Sequence, residues 1–153
     1  LRGTVENGKP RFGEESIRAY RTAALHGFVF EVDAKLTEDR VPVAIHDATL
    51  DRTTNCTGEV RTFTLAELAG CRTDVLGSPG SPLPTRPASK PAPIITIQAL
   101  LSFARKSGSV VNLEIKNIPG DPDYDTTSAY ANKVMGERDR LRQAIKRADG
   151  SRT

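Results

Sequence analysis

The amino-acid sequence predicts an α/β protein, because apolar β-branched segments alternate with segments of helical periodicity. In order, the elements are helix, strand, strand, helix, a long proline-rich stretch, helix, strand and helix. Such alternation is typical of a mostly parallel sheet that helices cover. With 153 residues, of which 37% are hydrophobic and 27% charged, the chain can bury one core. We therefore expect one soluble globular unit.

The first half of the chain contains one predicted helix and two predicted strands. Residues 14–26 have the spacing of a helix, with Glu14 and Glu15 at its start and Gly27 directly after it. Residues 28–36 and 41–45 are apolar and β-branched, which indicates strands. The link between them is too short for a crossover helix, so either a tight turn or an abbreviated unit joins them.

Turn residues and helix caps divide the second half. Thr64 and Glu67 form a capping-box pattern, and Thr96 and Gly108 delimit a helix that precedes a strand over 110–116. Residues 77–93 are rich in proline, which predicts a long surface loop or, alternatively, a PxxP ligand for a partner. We place a domain over 1–135, with a further helical start at 127–135. A charged helical or frayed tail is expected over 136–153.

The charge distribution does not favour a nucleic-acid partner. The net charge of +3 arises in residues 136–153, which carry six Lys or Arg against three Asp or Glu. The remaining residues carry sixteen of each sign, so the body is neutral. No long apolar run or charged leader is present, and we expect neither a membrane span nor a signal peptide.

The two cysteines, Cys56 and Cys71, have a spacing that suits a disulfide. They stand fifteen residues apart, which does not match a Cys-x-x-Cys metal or redox motif. The alternative is two unrelated buried thiols. A disulfide indicates an extracellular setting, so we expect a secreted protein.

Three acidic residues in apolar strands predict a cation site. Glu31 and Asp33 are two residues apart and therefore share one face of their strand, and Glu114 lies in a similar strand. A lone ionised carboxylate there would be costly unless it were paired or bound to a metal. Oxygen ligands suit Mg²⁺ or Ca²⁺. Lys116 can also pair with these acids, which leaves a purely structural acid–base cluster as the alternative.

His46 is the candidate for proton transfer. It ends its predicted strand directly before Asp47, where its imidazole would project beside the acids. A structural role at the strand end is the alternative that the residue alone leaves open.

Together these segments resemble the glycerophosphodiester phosphodiesterase family, in particular its secreted, actinobacterial type. The matching segments follow in the family's order: Arg2-Gly3, Glu14-Glu15-Ser16-Ile17, Glu31-Val32-Asp33, Val41-Pro42-Val43-Ala44-Ile45-His46-Asp47, Thr49-Leu50-Asp51-Arg52-Thr53-Thr54-Asn55 and Leu113-Glu114-Ile115-Lys116. The resemblance implies a (β/α)8 TIM-barrel-type fold and metal-dependent hydrolysis of a small glycerophosphodiester to sn-glycerol 3-phosphate and an alcohol.

The resemblance also assigns roles to individual residues. It implies that Glu31, Asp33 and Glu114 hold a divalent cation, and that His46 is one of two acid–base histidines. Arg2, a catalytic and substrate-binding residue, would neutralise the phosphate together with Lys116. Glu14 matches a polar, substrate-binding residue near the site.

Two departures from the family pattern limit these expectations. The histidine expected before Arg2 is Leu1, so half of the acid–base pair is missing and weak activity is expected. The chain also covers about the first half of a barrel, since a full barrel has about 250 residues. Residues 1–135 are then a partial barrel, which a longer parent chain, a second copy or a partner segment would complete.

Two other functions fit parts of the pattern. A sphingomyelinase D-like phospholipase shares the Glu-x-Asp and two-histidine chemistry. A non-catalytic module that binds phosphodiesters or a protein would be consistent with Leu1, the short length and the proline-rich stretch.

Overall fold

The structure is a computed structural model, and it describes residues 4–6, 9–76 and 86–150. The helices are α1 (Ile17–Leu25), α2 (Leu65–Leu68), α3 (Ile97–Ser107) and α4 (Ala129–Gly150). The strands are β1 (Thr4–Glu6), β2 (Lys9–Phe12), β3 (Phe30–Leu36), β4 (Pro42–Ala44), β5 (Arg72–Leu76), β6 (Arg86–Pro93) and β7 (Val111–Ile115). The predicted α/β class is confirmed.

The central sheet has the order β4-β3-β7. Strands β3 and β7 are parallel, as expected, whereas β3 and β4 are antiparallel. The Thr37 N–H donates to the Val41 carbonyl at 3.2 Å, and Arg40 adopts a φ of 58°, so a tight turn joins β3 to β4. Of the two connections that the sequence left open, the tight turn is the one present, since so short a link cannot carry a crossover helix.

The two faces of β3 have different partners. Phe30, Val32, Ala34 and Leu36 belong to the main hydrophobic core, together with Tyr20 of α1 and residues of α3 and α4. Successive side chains of a strand alternate between faces. Glu31, Asp33 and Lys35 therefore lie on the opposite face, where the polar chemistry of the sheet is concentrated.

Local capping explains where the helices begin and end. Ser16 caps α1 by accepting from the Ala19 N–H, so the helix starts after the predicted Glu14. The capping box of Thr64 with Glu67 is confirmed, and so is the cap that Thr96 supplies to α3. These side chains satisfy N–H groups that a helix N-terminus leaves without partners.

The proline-rich stretch is partly a strand. Residues 77–85 lie outside the described residues, but β6 pairs with β5 in an antiparallel two-stranded sheet. The prediction of a surface loop through residue 93 is therefore wrong for 86–93. Both strands of a two-stranded sheet are edges, where proline is tolerated because its missing N–H need not join a ladder.

The Cys56–Cys71 disulfide is present and links the segment after β4 to the start of β5. Both cysteines pack with a second hydrophobic cluster that includes Val43, Ile45 and Leu50. The predicted pairing is thus confirmed. This cluster lies beside the strand end that carries His46.

Helix α4 joins two predicted segments into one. It runs without interruption across the predicted boundary at residue 135, so the helical start at 127–135 and the charged tail are a single helix as far as residue 150. Tyr130 and Val134 anchor it in the main core. Among the described helices, none is both long and apolar enough to cross a membrane.

Candidate metal and acid–base site

The parallel pairing of β3 and β7 brings the three predicted metal ligands together. Asp33 stands opposite Glu114 in the register, and Glu31 precedes Asp33 on the same face. Each of the three residues offers a carboxylate oxygen, and these oxygens lie within 4.8 Å of one another. Glu31, Asp33 and Glu114, which are far apart in sequence, thus form one cluster.

Asp33 is the buried member of this cluster. It is 2% exposed, and its Oδ1 atom has no hydrogen-bond partner among the described residues. The Lys116 ammonium lies 3.2 Å from that oxygen as an ion-pair contact. A buried carboxylate oxygen without a hydrogen bond is costly unless a cation meets it. Lys116 meets this oxygen in part, and the three carboxylate oxygens together are the kind of donors that a hard cation such as Mg²⁺ or Ca²⁺ prefers.

Lys116 reduces the negative charge of the cluster. Its Nζ atom donates to Glu114 Oε1 at 2.7 Å as well as contacting Asp33. The hydrogen bond from Lys116 lowers the pKa of Glu114, whereas burial raises the pKa of Asp33 against the opposing effect of Lys116. Three carboxylates against one ammonium leave a net negative charge, which a divalent cation would neutralise.

His46 lies beside the acids, as the sequence predicts. The Ile45 N–H donates to the Asp33 carbonyl at 3.1 Å, which fixes the end of β4 against β3. The imidazole interacts electrostatically with both Asp33 and Glu114. Its side chain is 47% exposed, and its Nδ1 atom is 2.6 Å from Asp47 Oδ1. The arrangement can place a proton-transferring nitrogen next to a cation site.

Glu14, which was expected to bind substrate, is paired with Arg52 in the structure. Glu14 is buried, and its carboxylate accepts two hydrogen bonds from Arg52, at 3.0 Å and 2.7 Å. The same guanidinium donates to Asp47 at 2.5 Å and 2.8 Å. The substrate-binding role of Glu14 stays a prediction. Arg52 lies within the Thr49–Asn55 motif, but that motif gave no sign of its part in the site.

Glu15 contacts the backbone of the acid cluster at Asp33. Its Oε2 atom accepts from the Asp33 N–H at 3.4 Å and from the Tyr20 hydroxyl. Burial raises the pKa of Glu15 to about 7. Sequence reasoning took Glu15 for an acid at a helix N-terminus, and nothing in the sequence distinguishes it from Glu14.

Lys35 is a further polar residue that the sequence did not indicate. It is fully buried, and its Nζ atom donates to Asp121 at 2.6 Å and to Asp123 at 2.9 Å. These contacts tie the segment after β7 to β3. Leu1 and Arg2 lie outside the described residues, so their predicted relation to the site has no structural counterpart here.

A sequence model of the glycerophosphoryl diester phosphodiesterase family matches residues 2–152. The YhdW protein of Bacillus subtilis (strain 168) is 36% identical over 126 residues, which are 81% of this chain and 46% of that protein. A glycerophosphodiester phosphodiesterase of Caldanaerobacter subterraneus subsp. tengcongensis is 46% identical over 56 residues, which are 36% of this chain and 23% of the relative.

Solved structures give the same result for the fold. The crystal structure of a glycerophosphodiester phosphodiesterase from Agrobacterium tumefaciens str. C58 aligns with a TM-score of 0.54 and 28% identity. The alignment covers 67% of this chain and 41% of that one. The described sheet and helices are thus part of a TIM-barrel fold. The chain spans less than half the length of the curated relatives it matches.

Proposed function

Because this chain belongs to the glycerophosphoryl diester phosphodiesterase family, we propose that it takes part in the metal-dependent hydrolysis of glycerophosphodiesters to sn-glycerol 3-phosphate and an alcohol. The observation that carries the proposal is the cluster of Glu31, Asp33 and Glu114 with Lys116 on one sheet face. Phosphodiester hydrolysis needs positive charge to stabilise the phosphoryl oxygens. A cation on these acids, together with Lys116, would provide it.

Each residue has a distinct role in this proposal. The three acids would hold Mg²⁺ or Ca²⁺, which when bound would supply Lewis-acid polarisation of a phosphoryl oxygen. Lys116 and Arg2 neutralise further charge on the phosphate. His46 transfers a proton at its Nε2 atom, since Nδ1 contacts Asp47.

Leu1 gives the proposal a direct test. A leucine side chain cannot transfer a proton, so we expect weak hydrolysis by the chain as it stands. The change Leu1→His supplies the second acid–base group and should raise kcat for glycerophosphocholine by about 100- to 10,000-fold, the usual contribution of general acid–base catalysis. The measurement is release of sn-glycerol 3-phosphate by the full-length protein, with either cation and with a chelator.

The controls separate histidine chemistry from other effects. Leu1→Gln is the matched variant, because it is polar but has no titratable group, and it should give no gain. Faster hydrolysis of sphingomyelin than of glycerophosphocholine would instead favour the sphingomyelinase D-like activity. If Leu1→His gave no chelator-sensitive gain on either substrate, the proposed hydrolysis would be wrong.

A non-catalytic role is the second candidate, and Leu1 is the observation that favours it. In that case the acid cluster and Lys116 would bind a cation and a phosphodiester without turnover. Calorimetry with Ca²⁺ and glycerol 3-phosphate distinguishes the two, because binding that persists while Leu1→His stays inactive supports the binding module.

Two further features belong to the same proposal. The Cys56–Cys71 disulfide supports a secreted protein, since such bonds persist in oxidising compartments. The outer edge of β7 has no strand partner among the described residues, which supports completion of the barrel by another segment or by a second copy. Light scattering on the isolated chain distinguishes a monomer from a self-associated form.

A further inference from the structure

Arg52 connects three parts of the fold through one guanidinium. Its Nε and Nη2 atoms donate to Asp47, and its Nη1 and Nη2 atoms donate to Glu14, all within 2.5–3.0 Å. The side chain is only 14% exposed, and that of Glu14 only 6%. Paired hydrogen bonds of this kind are strong and directional, and a lysine cannot reproduce them.

The backbone around Arg52 is fixed by its own contacts. The Leu50 N–H donates to the Gly58 carbonyl at 2.9 Å, and the Thr54 N–H donates to the Leu50 carbonyl at 3.1 Å. Leu50 itself is fully buried. Arg52 therefore projects from a compact segment, while Glu14 precedes α1 and Asp47 follows β4.

Asp47 passes this restraint to His46. Its Oδ1 atom accepts from Arg52 and also lies 2.6 Å from His46 Nδ1. Although burial alone would raise the pKa of Asp47, the hydrogen bonds from Arg52 and His46 outweigh it, and the pKa is lowered. An ionised carboxylate can only accept hydrogen bonds. The proton of a neutral His46 must then reside on Nδ1.

We propose that Arg52 is a positioning residue for His46. By donating to Asp47 while it is itself paired with Glu14, it fixes the imidazole as the Nδ1–H tautomer and leaves Nε2 for proton transfer. This inference deepens the function proposed above and rests on it for the role of Nε2. The tautomer itself is a property of the chain without substrate, so it can be tested separately.

The experiment is ¹⁵N NMR of the imidazoles at alkaline pH, where histidine is neutral. The chain has two histidines, and removal of His26 by His26→Gln assigns the signals. We expect the Nδ1–H tautomer for His46 in the wild-type chain. The change Arg52→Gln should convert it to a mixture of tautomers, and Arg52→Lys should do so in part.

Arg61→Gln is the matched control, because the Arg61 side chain is 49% exposed and its ion pair is with Glu59. This change should leave the tautomer unchanged. Circular dichroism checks folding, and if Arg52→Gln does not fold, Arg52→Lys decides the question. An Nε2–H tautomer in the wild type would overturn the inference. So would an unchanged His46 signal in a folded Arg52 variant. If the Arg52 variants change the His46 tautomer but Leu1→His gives no hydrolysis, only the proposed function would be overturned.

In the Leu1→His variant, once it hydrolyses glycerophosphocholine, Arg52→Lys should also lower kcat by about 100-fold with little change in KM. The reason is that a misplaced catalytic group slows the reaction more than it weakens substrate binding. A change confined to KM would contradict a positioning role.

Discussion

At the scale of single residues, the candidate cation site consists of three acids on one sheet face and of residues from other segments that contact them. Glu31, Asp33 and Glu114 stood out because ionised carboxylates are costly in apolar strands, and that signal needs only the sequence. Arg52 and Glu15 act through contacts between segments that are distant in the chain. Arg52 meets Glu14 across 38 positions, and Glu15 meets Asp33 across 18. No local pattern specifies such meetings.

Glu15 leads to a prediction about pH. Burial raises its pKa from 4.5 to about 7, so the folded state holds a proton that the unfolded state has lost. The contribution of Glu15 to stability is therefore greatest below pH 4.5 and falls as the pH rises to about 7. The loss is about 3 kcal/mol in the free energy of unfolding.

The change Glu15→Gln should remove this part of the pH dependence. Glutamine keeps an oxygen that can accept from Tyr20 and from the Asp33 N–H, but it carries no charge. Urea unfolding between pH 4.5 and pH 7.5 measures the effect, with the exposed Glu38→Gln as a control. Parallel pH profiles for the wild type and Glu15→Gln would show that Glu15 is not buried as described.

At the scale of elements, the parallel pair β3 and β7 aligns the site, and Lys35 secures the segment that follows β7. Lys35 is fully buried between Asp121 and Asp123, and Tyr130 OH donates to Asp123 at 3.4 Å. Removal of one partner of a buried ion pair leaves an uncompensated charge. The two ion pairs of Lys35 therefore connect β3, which carries Asp33, to the segment that follows β7.

The change Lys35→Met should lower the free energy of unfolding by about 3–5 kcal/mol, because Asp123 would stay buried without its cation. The double variant Lys35→Met with Asp123→Asn should recover part of that loss. Chemical unfolding measures both, and Lys106→Met on the exposed side of α3 is the control. A loss no larger than that of Lys106→Met would argue against a structural role for the pair.

Elements with local signals were predicted well. The caps at Thr64 and Thr96 and the glycine after α3 follow from hydrogen bonding within a few residues. The pairing of β6 with β5 was missed, because prolines argue against a strand unless it lies at an edge. Whether a strand is an edge depends on the rest of the sheet.

At the scale of the whole molecule, the sequence motifs identified a barrel because they preserve the order of strands along the chain. The antiparallel turn between β3 and β4 could not be chosen from sequence, since a tight turn and an abbreviated unit both fit the four residues 37–40 between the predicted strands. The described fold places the three acids and Lys116 together on the sheet face opposite the main core, and His46 follows the adjacent strand β4. The central claim is that this face binds a divalent cation.

Thermal unfolding with added Ca²⁺ or Mg²⁺ tests that claim most directly, because a ligand that binds only the folded state raises the Tm as its concentration increases above the Kd. We predict that the Tm of the wild-type chain rises with the concentration of at least one cation. Asp33→Asn should abolish the rise, whereas Asp139→Asn on the exposed surface of α4 should not. A Tm insensitive to both cations, or an equal rise in Asp33→Asn, would contradict a metal site at Glu31, Asp33 and Glu114.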